Sequence, residues 1–428
     1  KPLLFVVITH GHWDHDGGLD ALAENGIIVL CNEKLRKRYE ESEKKGSFIG
    51  IKDNLMLNNN KRVINFFTSG TVHSDNDLFT FLPDEKVIFT GDAVVNAHSP
   101  WMGESDVQNW IKTLRMLAGM EVDTVCVGHG PLAGHEVFAQ LSRYLTALRD
   151  EVGYRVSQGR SLKATLDQVN IPLRKEWLVD DNAFSDHIKS VYSQLTSEVP
   201  PSDTSLMPKA LVLIGDNYHP PHYIPPSLEP VFQRIGMPVK FFYDVSKLNA
   251  KSLEGIKLFV ILRDGMIWPE PDGKQVFWMT EEQEKAIAEF VKNGGGLLAL
   301  HNSTALKCLD EKACIYRDML GCSYNGHGPG DEKFDVKVVN KDHPVTRGVE
   351  DYVAVDERHT PIMHTDDATI LLEAVSDNEK SVNGFVRNYG KGRICHLANG
   401  HNLEVLQNPN MQKLMTNAAL WCCGMEMP

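Results

Sequence analysis

Through the first 150 residues, short apolar runs bounded by Gly, Pro, Asn or Asp alternate with segments of helical period. Leu3 to Ile8, Ile27 to Leu30, Asn65 to Phe67, Leu78 to Leu82, Lys86 to Thr90 and Thr124 to Val127 read as strands. Between and after them, Trp110, Ile111, Leu114 and Leu117, and then Phe138, Leu141, Leu145 and Leu148, recur at the spacing of one helix face. Residues 151 to 198 stay helical in pattern, around Leu162 to Val169 and Ala183 to Leu195, and read as a helical tail of this unit. The Pro- and Ser-rich stretch from Val199 to Pro208 has no period and reads as an extended linker. A second α/β pattern follows, with strands at Ala210 to Ile214, Val239 to Tyr243, Leu258 to Leu262 and Gly296 to Leu300 and a helix at Glu281 to Val291. The expected organisation is an α/β domain over 1–198, a linker over 199–208 and a doubly wound domain over 209–428.

Length agrees with two domains: 428 residues suffice for two large cores. Charge narrows the partners. With 44 Lys and Arg against 57 Asp and Glu, the net charge is −13, so a general nucleic-acid surface is not expected. No apolar run approaches the length of a membrane span, and no membrane partner is expected. The eight cysteines show neither the density nor the spacing of a disulfide framework and read as reduced core residues. The chain starts at Lys1 and enters a strand at once, which reads as a fragment; the expectation is a soluble protein, with cytoplasm and periplasm both left open. Oligomerisation is left open as well.

The most informative stretch follows the first strand: His10-Gly11-His12-Trp13-Asp14-His15-Asp16-Gly17-Gly18. Residues two apart in an extended segment point the same way, so His10 and His12 can grip one ion while Asp14 and His15 turn toward another. Imidazole and carboxylate ligands suit a borderline divalent ion, Zn²⁺ first, with Fe or Mn as alternatives. His73 in Gly70-Thr71-Val72-His73, Asp92 in Thr90-Gly91-Asp92 and His129 in Val127-Gly128-His129-Gly130 each follow a strand-like run in a loop with glycine.

This ordered HxHxDH, His, Asp, His pattern resembles the metallo-β-lactamase superfamily of hydrolases, over about residues 1 to 198. The resemblance implies a partial αββα sandwich in which His10, His12 and His73 bind a first metal, Asp14, His15 and His129 a second, and Asp92 bridges. Asp14 and Asp92 are the candidate catalytic carboxylates. Two such ions, about 3.5 to 4 Å apart, would share a water acidified to a hydroxide nucleophile. The implied substrate is a small molecule with an electrophilic centre, an ester, thioester, lactone or similar. A bridging Asp92 points away from true β-lactamases and toward broader hydrolases such as the quinoprotein-relay or sulfur-oxidation-cyclase type. Only nine residues precede the HxHxDH element, where the superfamily has several strands, so an unpaired sheet edge is expected.

The second unit has Asp216-Asn217 with His219 at a strand end, and it carries Gly294-Gly295-Gly296-Leu297-Leu298-Ala299-Leu300-His301, Gly326-His327, Asp342-His343-Pro344, Asp356-Glu357, Gly390-Lys391-Gly392-Arg393 and Gly400-His401 in order. This resembles the ThuA-like (trehalose utilisation) family, with a flavodoxin-type fold like that of class I glutamine amidotransferases. Those relatives place a Cys nucleophile where His301 stands, so glutamine hydrolysis is not expected. The ligand candidates are His301, His327, Asp356, Glu357 and His401, for a carbohydrate or a metal. The leading expectation is a dinuclear zinc hydrolase fused to a ThuA-like domain in carbohydrate or related metabolism. The alternative is a ThuA-like sugar- or protein-binding module carrying an inactive hydrolase remnant.

Overall fold

The computed structural model describes residues 3–42, 44–58, 62–197, 209–220, 223–270, 273–306, 314–377 and 379–425. The linker expected at 199–208 and Cys308 lie outside them. The chain forms two compact units, Lys1–Glu151 with Gln168–Gln194, and Val152–Asp167 with Leu195–Pro428. Val152–Asp167 thus packs with the second unit, although the sequence pattern placed it in the tail of the first. There the Tyr154 hydroxyl donates to Asn217 Oδ1, and the Ser157 carbonyl accepts from buried Arg263. A helical period shows that a face is buried but not which neighbour buries it.

The described residues of the first unit form two sheets. Phe5–Val7, Ile28–Asn32 and Ser47–Ile51 form a parallel three-stranded sheet in that order. Among the described residues Phe5–Val7 pairs only with Ile28–Asn32, and Leu3 and Leu4 just before it are exposed. Asn54–Asn58, Val63–Phe67, Phe79–Leu82 and Val87–Gly91 pair antiparallel in sequence, and Thr124–Val127 joins Val87–Gly91 in parallel. Helix Val107–Leu117 is capped by Asp106, which accepts from the Asn109 amide, and it buries Trp110, Ile111, Leu114 and Leu117. Trp110 Nε1 donates to the Ala93 carbonyl at 2.8 Å, fixing that helix beside the loop that carries Asp92. Helix Asp181–Thr196 buries Phe184, His187, Ile188 and Val191.

The second unit is organised on a nine-stranded sheet. Val239–Phe242, Ala210–Ile214, Leu258–Leu262, Gly296–Leu300 and Gly392–Leu397 are parallel neighbours in that order. Every residue of Ala210–Ile214 and Leu258–Leu262 is buried, as expected for strands covered on both faces. The sheet then continues antiparallel through Glu379–Tyr389, Thr369–Ser376, Glu332–Val338 and Tyr352–Asp356, a half that the sequence pattern did not announce. Helix Glu281–Lys292 starts at a reciprocal capping box between Thr280 and Gln283. Among the described residues every cysteine is free, with Cys31, Cys314, Cys322, Cys395 and Cys422 buried. No described helix is long and apolar enough to cross a membrane.

Candidate metal centres

In the first unit the ligand candidates sit where strands end. His10 follows Phe5–Val7. A four-residue helix, Trp13–Asp16, begins directly after His12, turning Asp14 and His15 back over the strand end. Val63–Phe67 leads to the His73 loop, Val87–Gly91 to Asp92 and Thr124–Val127 to His129. Glycine is required at one of these ends: a Cβ on Gly128 would fall 1.9 Å from Asp92 Oδ1.

Two ligand groups result. The side chains of His10, His12, His73 and Asp92 converge within 4.8 Å of one another, and so do those of Asp14, His15, Asp92 and His129. Asp92 belongs to both. His12 Nδ1 faces His10 Nε2 at 2.9 Å and His73 Nε2 at 3.1 Å. Asp92 Oδ2 lies 3.3 Å from His129 Nε2 and 3.7 Å from His73 Nε2, while Asp92 Oδ1 lies 3.1 Å from His15 Nε2. Asp14 Oδ2 is 3.1 Å from His129 Nε2.

These contacts fit a divalent ion better than a hydrogen-bond network. His73 Nδ1 faces the Trp101 carbonyl at 3.1 Å and donates to it, so its Nε2 is a lone pair. That lone pair and His10 Nε2 both crowd His12 Nδ1, which has at most one proton to give. Ligand nitrogens around a tetrahedral zinc stand about 3.3 Å apart, close to the spacing seen. His12 Nε2, on the far side of its ring, is buried without a hydrogen bond, its nearest carboxylate being Glu104 at 3.6 Å.

Electrostatics agree. Burial, with repulsion from His73 and His15, pushes His10 down to about 2, and burial pushes His73 down to about 4. Both rings are therefore neutral, the state in which imidazole ligates. Burial works against ionisation of Asp92, but the hydrogen bond with His15 helps to hold it down to about 2; the same pairing raises His15. Behind His73, the buried carboxylate of Asp77 accepts from the Ser74 amide and hydroxyl and fixes the loop, and burial lifts it to about 7. Sequence reasoning did not single out Asp77, Trp101 or Glu104.

In the second unit, the C-terminal ends of the parallel strands form the edge where such sheets bind ligands. Ala210–Ile214 leads to Asp216 and His219, Gly296–Leu300 to His301 and Gly392–Leu397 to Gly400 and His401. The antiparallel half returns to the same edge: Gly400 N and His401 N donate to the Asp356 carboxylate, at the end of Tyr352–Asp356. His219, His301, Glu357 and His401 converge within 4.8 Å. Glu357 lies 3.4 Å from His301 Nε2, 3.3 Å from His401 Nδ1 and 3.5 Å from His359 Nε2.

Three of the five candidates thus meet, and two do not. Asp356 is fully buried, and its oxygens are occupied by the Gly400, His401 and Asn399 donors, so it holds the turn rather than facing the cluster. His327 is more exposed, 3.7 Å from Glu357, with Nδ1 directed to the adjacent carbonyl of Gly328. His219 and His359 were outside the candidate set. An Asp-x-x-His following a wholly apolar strand was the available signal for His219, whereas His359 is placed by its bridge to His327 and has no local motif. His301 adopts φ 47, and Gly400 at φ 149 lets the His401 turn approach it. Burial outweighs Asp216 in lowering His219, and lowers His359 strongly, whereas pairing with Glu357 raises His401. Despite burial, the facing rings of His301, His359 and His401 hold Glu357 far below the carboxylate range.

Fold and site define an α/β protein with clustered metal-type ligands in each of two units. The sequence matches the Metallo-beta-lactamase superfamily over residues 1–129 and the Trehalose utilisation (ThuA) family over residues 209–422, half of the chain. The chain belongs to the ThuA family, and residues 1–129, ahead of that domain, match the Metallo-beta-lactamase superfamily. It is 27% identical over 143 residues to the Metallo-beta-lactamase type 2 of Bacillus sp. (strain 170), covering 30% of this chain and 52% of that protein. To the Metallo-beta-lactamase type 2 of Bacillus cereus it is 27% identical over 138 residues, covering 30% and 53%. The chain spans about half the length of these curated relatives. A solved ThuA-like protein from Parabacteroides merdae aligns with TM-score 0.42 and 20% identity, covering 52% of this chain and 92% of that one.

Proposed function

We propose that the first unit is a metal-dependent hydrolase holding two divalent ions, zinc first, that cleaves an ester, thioester, lactone or similar small molecule, and that the ThuA-like unit ties this activity to carbohydrate metabolism. The observation that carries the reading is Asp92, a member of both ligand groups, with Oδ2 3.7 Å from His73 Nε2 of the first and Oδ1 3.1 Å from His15 Nε2 of the second.

A bound pair of divalent ions supplies Lewis acidity toward a carbonyl or similar oxygen and acidifies water. The residues do the rest. His10, His12 and His73 would hold one ion and Asp14, His15 and His129 the other, with Asp92 common to both groups. The Trp101 carbonyl orients His73, and Glu104 stands beside the outer nitrogen of His12. Trp13 is 83% exposed and Trp101 half exposed, with its ring against His12 at 4.9 Å between centroids, offering apolar surface to the non-reacting part of a substrate. The test is an ester, thioester and lactone screen on zinc-loaded protein. Activity that falls to background in Asp92→Ala supports the reading; activity that persists in that variant contradicts it.

A further inference from the structure

We propose that the ThuA-like unit carries a metal site of its own, a single divalent transition-metal ion of the zinc type held by His219, His301, His401 and Glu357. The inference does not depend on the hydrolase reading, because it uses residues of the second unit alone.

The nitrogens are already directed inward. His219 Nδ1 donates to the Asp216 carboxylate at 2.8 Å, leaving Nε2 as the inward lone pair. His301 Nδ1 donates to the Ala398 carbonyl at 2.8 Å, which fixes Nε2 in the same role. These are the carboxylate and carbonyl partners that orient metal-ligating imidazoles. His219 Nε2 and His401 Nδ1 then stand 3.1 Å apart, and Glu357 lies 3.3 Å from His401 Nδ1 and 3.4 Å from His301 Nε2. The edges of a tetrahedron around zinc are about 3.3 Å.

The independent sign of a ligand is His301. Its ring is fully buried, and Nε2 makes no well-directed hydrogen bond although it is aimed into the cluster. A buried acceptor without a partner is costly, and a cation among the four groups removes that cost. Asp216 and Asp356, both fully buried, and Glu357 bring carboxylates against the same histidines, a charge that a divalent ion offsets. Three imidazoles and one carboxylate are a donor set suited to zinc, iron or nickel. His359 and Tyr324 lie beside the cluster, their rings 5.4 Å apart, and His327 is the exposed neighbour.

The experiment uses the full chain with both ligand groups of the first unit broken by His10→Ala, Asp92→Ala and His129→Ala. This protein is loaded with Zn²⁺, freed of excess by gel filtration and measured by elemental analysis; Co²⁺ loading adds a visible ligand-field spectrum. About one ion per chain is expected. Adding Glu357→Gln or His301→Ala should remove it and abolish the Co²⁺ bands, while His327→Ala should leave both intact. If His301→Ala fails to fold, His401→Ala, at a half-buried position, serves in its place. Metal-free protein in the three-fold variant, or an unchanged ion content after Glu357→Gln and His401→Ala, would overturn the proposal and leave a hydrogen-bonded His-Glu network.

Discussion

Gly128 lies so close to Asp92 that a Cβ on it would sit 1.9 Å from the Asp92 carboxylate oxygen. The carboxylate shared by both ligand groups therefore depends on a residue that contributes no ligand. Gly128→Ala must push Asp92 out of place, because the same Cβ also meets the backbone of Gly91 and Asp92. Metal bound by the first unit should fall by half or more, measured by elemental analysis, while far-ultraviolet circular dichroism stays close to that of the parent. Full metal content in Gly128→Ala would show that Asp92 does not bridge.

His187 serves the core of the first unit. The Tyr144 hydroxyl donates to its Nδ1 and its Nε2 donates to the Pro100 carbonyl, both at 2.7 Å and buried. His187→Ala strands both partners and leaves a cavity, so urea unfolding should show a loss of about 2–5 kcal/mol. Tyr144→Phe should cost less, and metal content should survive both changes. A loss below about 0.5 kcal/mol for His187→Ala would contradict this role.

Much of this architecture could be read in the sequence, and the unread parts share a physical cause. The metal-type residues of the first unit stand out because they follow apolar strands in loops that contain glycine, so chain order suggests convergence. In the second unit, Gly296–Leu300 announces His301 in the same way. The antiparallel half is harder to read: Glu332–Val338 alternates exposed and buried residues, but nothing local says that Tyr352–Asp356 returns to the edge where Gly400 and His401 lie. Asp356 and Glu357 are adjacent and equally acidic in sequence, yet one is consumed by backbone amides and the other faces the histidines. Likewise the amphipathic pattern after residue 151 could not show that Val152–Asp167 belongs with Arg263 and Asn217.

Asp216 holds His219 through Nδ1 and also accepts from the Asp264 amide and from Asn302. Asp216→Asn should weaken Zn²⁺ binding at the second unit about 10- to 100-fold, the usual cost of losing such an orienting partner. Competition titration against a chromophoric chelator reads this directly. Unchanged affinity would mean that His219 is not a ligand.

Chelation should destabilise the protein, because ions that bind only the folded state add stability by mass action, about 2.7 kcal/mol when free metal is 100 times Kd. Melting temperature should drop after dialysis against a chelator and recover with Zn²⁺ but not Mg²⁺, since imidazole-rich sites disfavour the harder ion. A melting temperature indifferent to chelation would argue against resident ions.

The most direct measurement is the number of zinc ions per chain in the parent, in His10→Ala/Asp92→Ala and in Glu357→Gln. The account predicts about three in the parent, about one in the first variant and about two in the second. A parent that holds no more zinc than His10→Ala/Asp92→Ala would contradict the dinuclear centre, whatever the second unit retains.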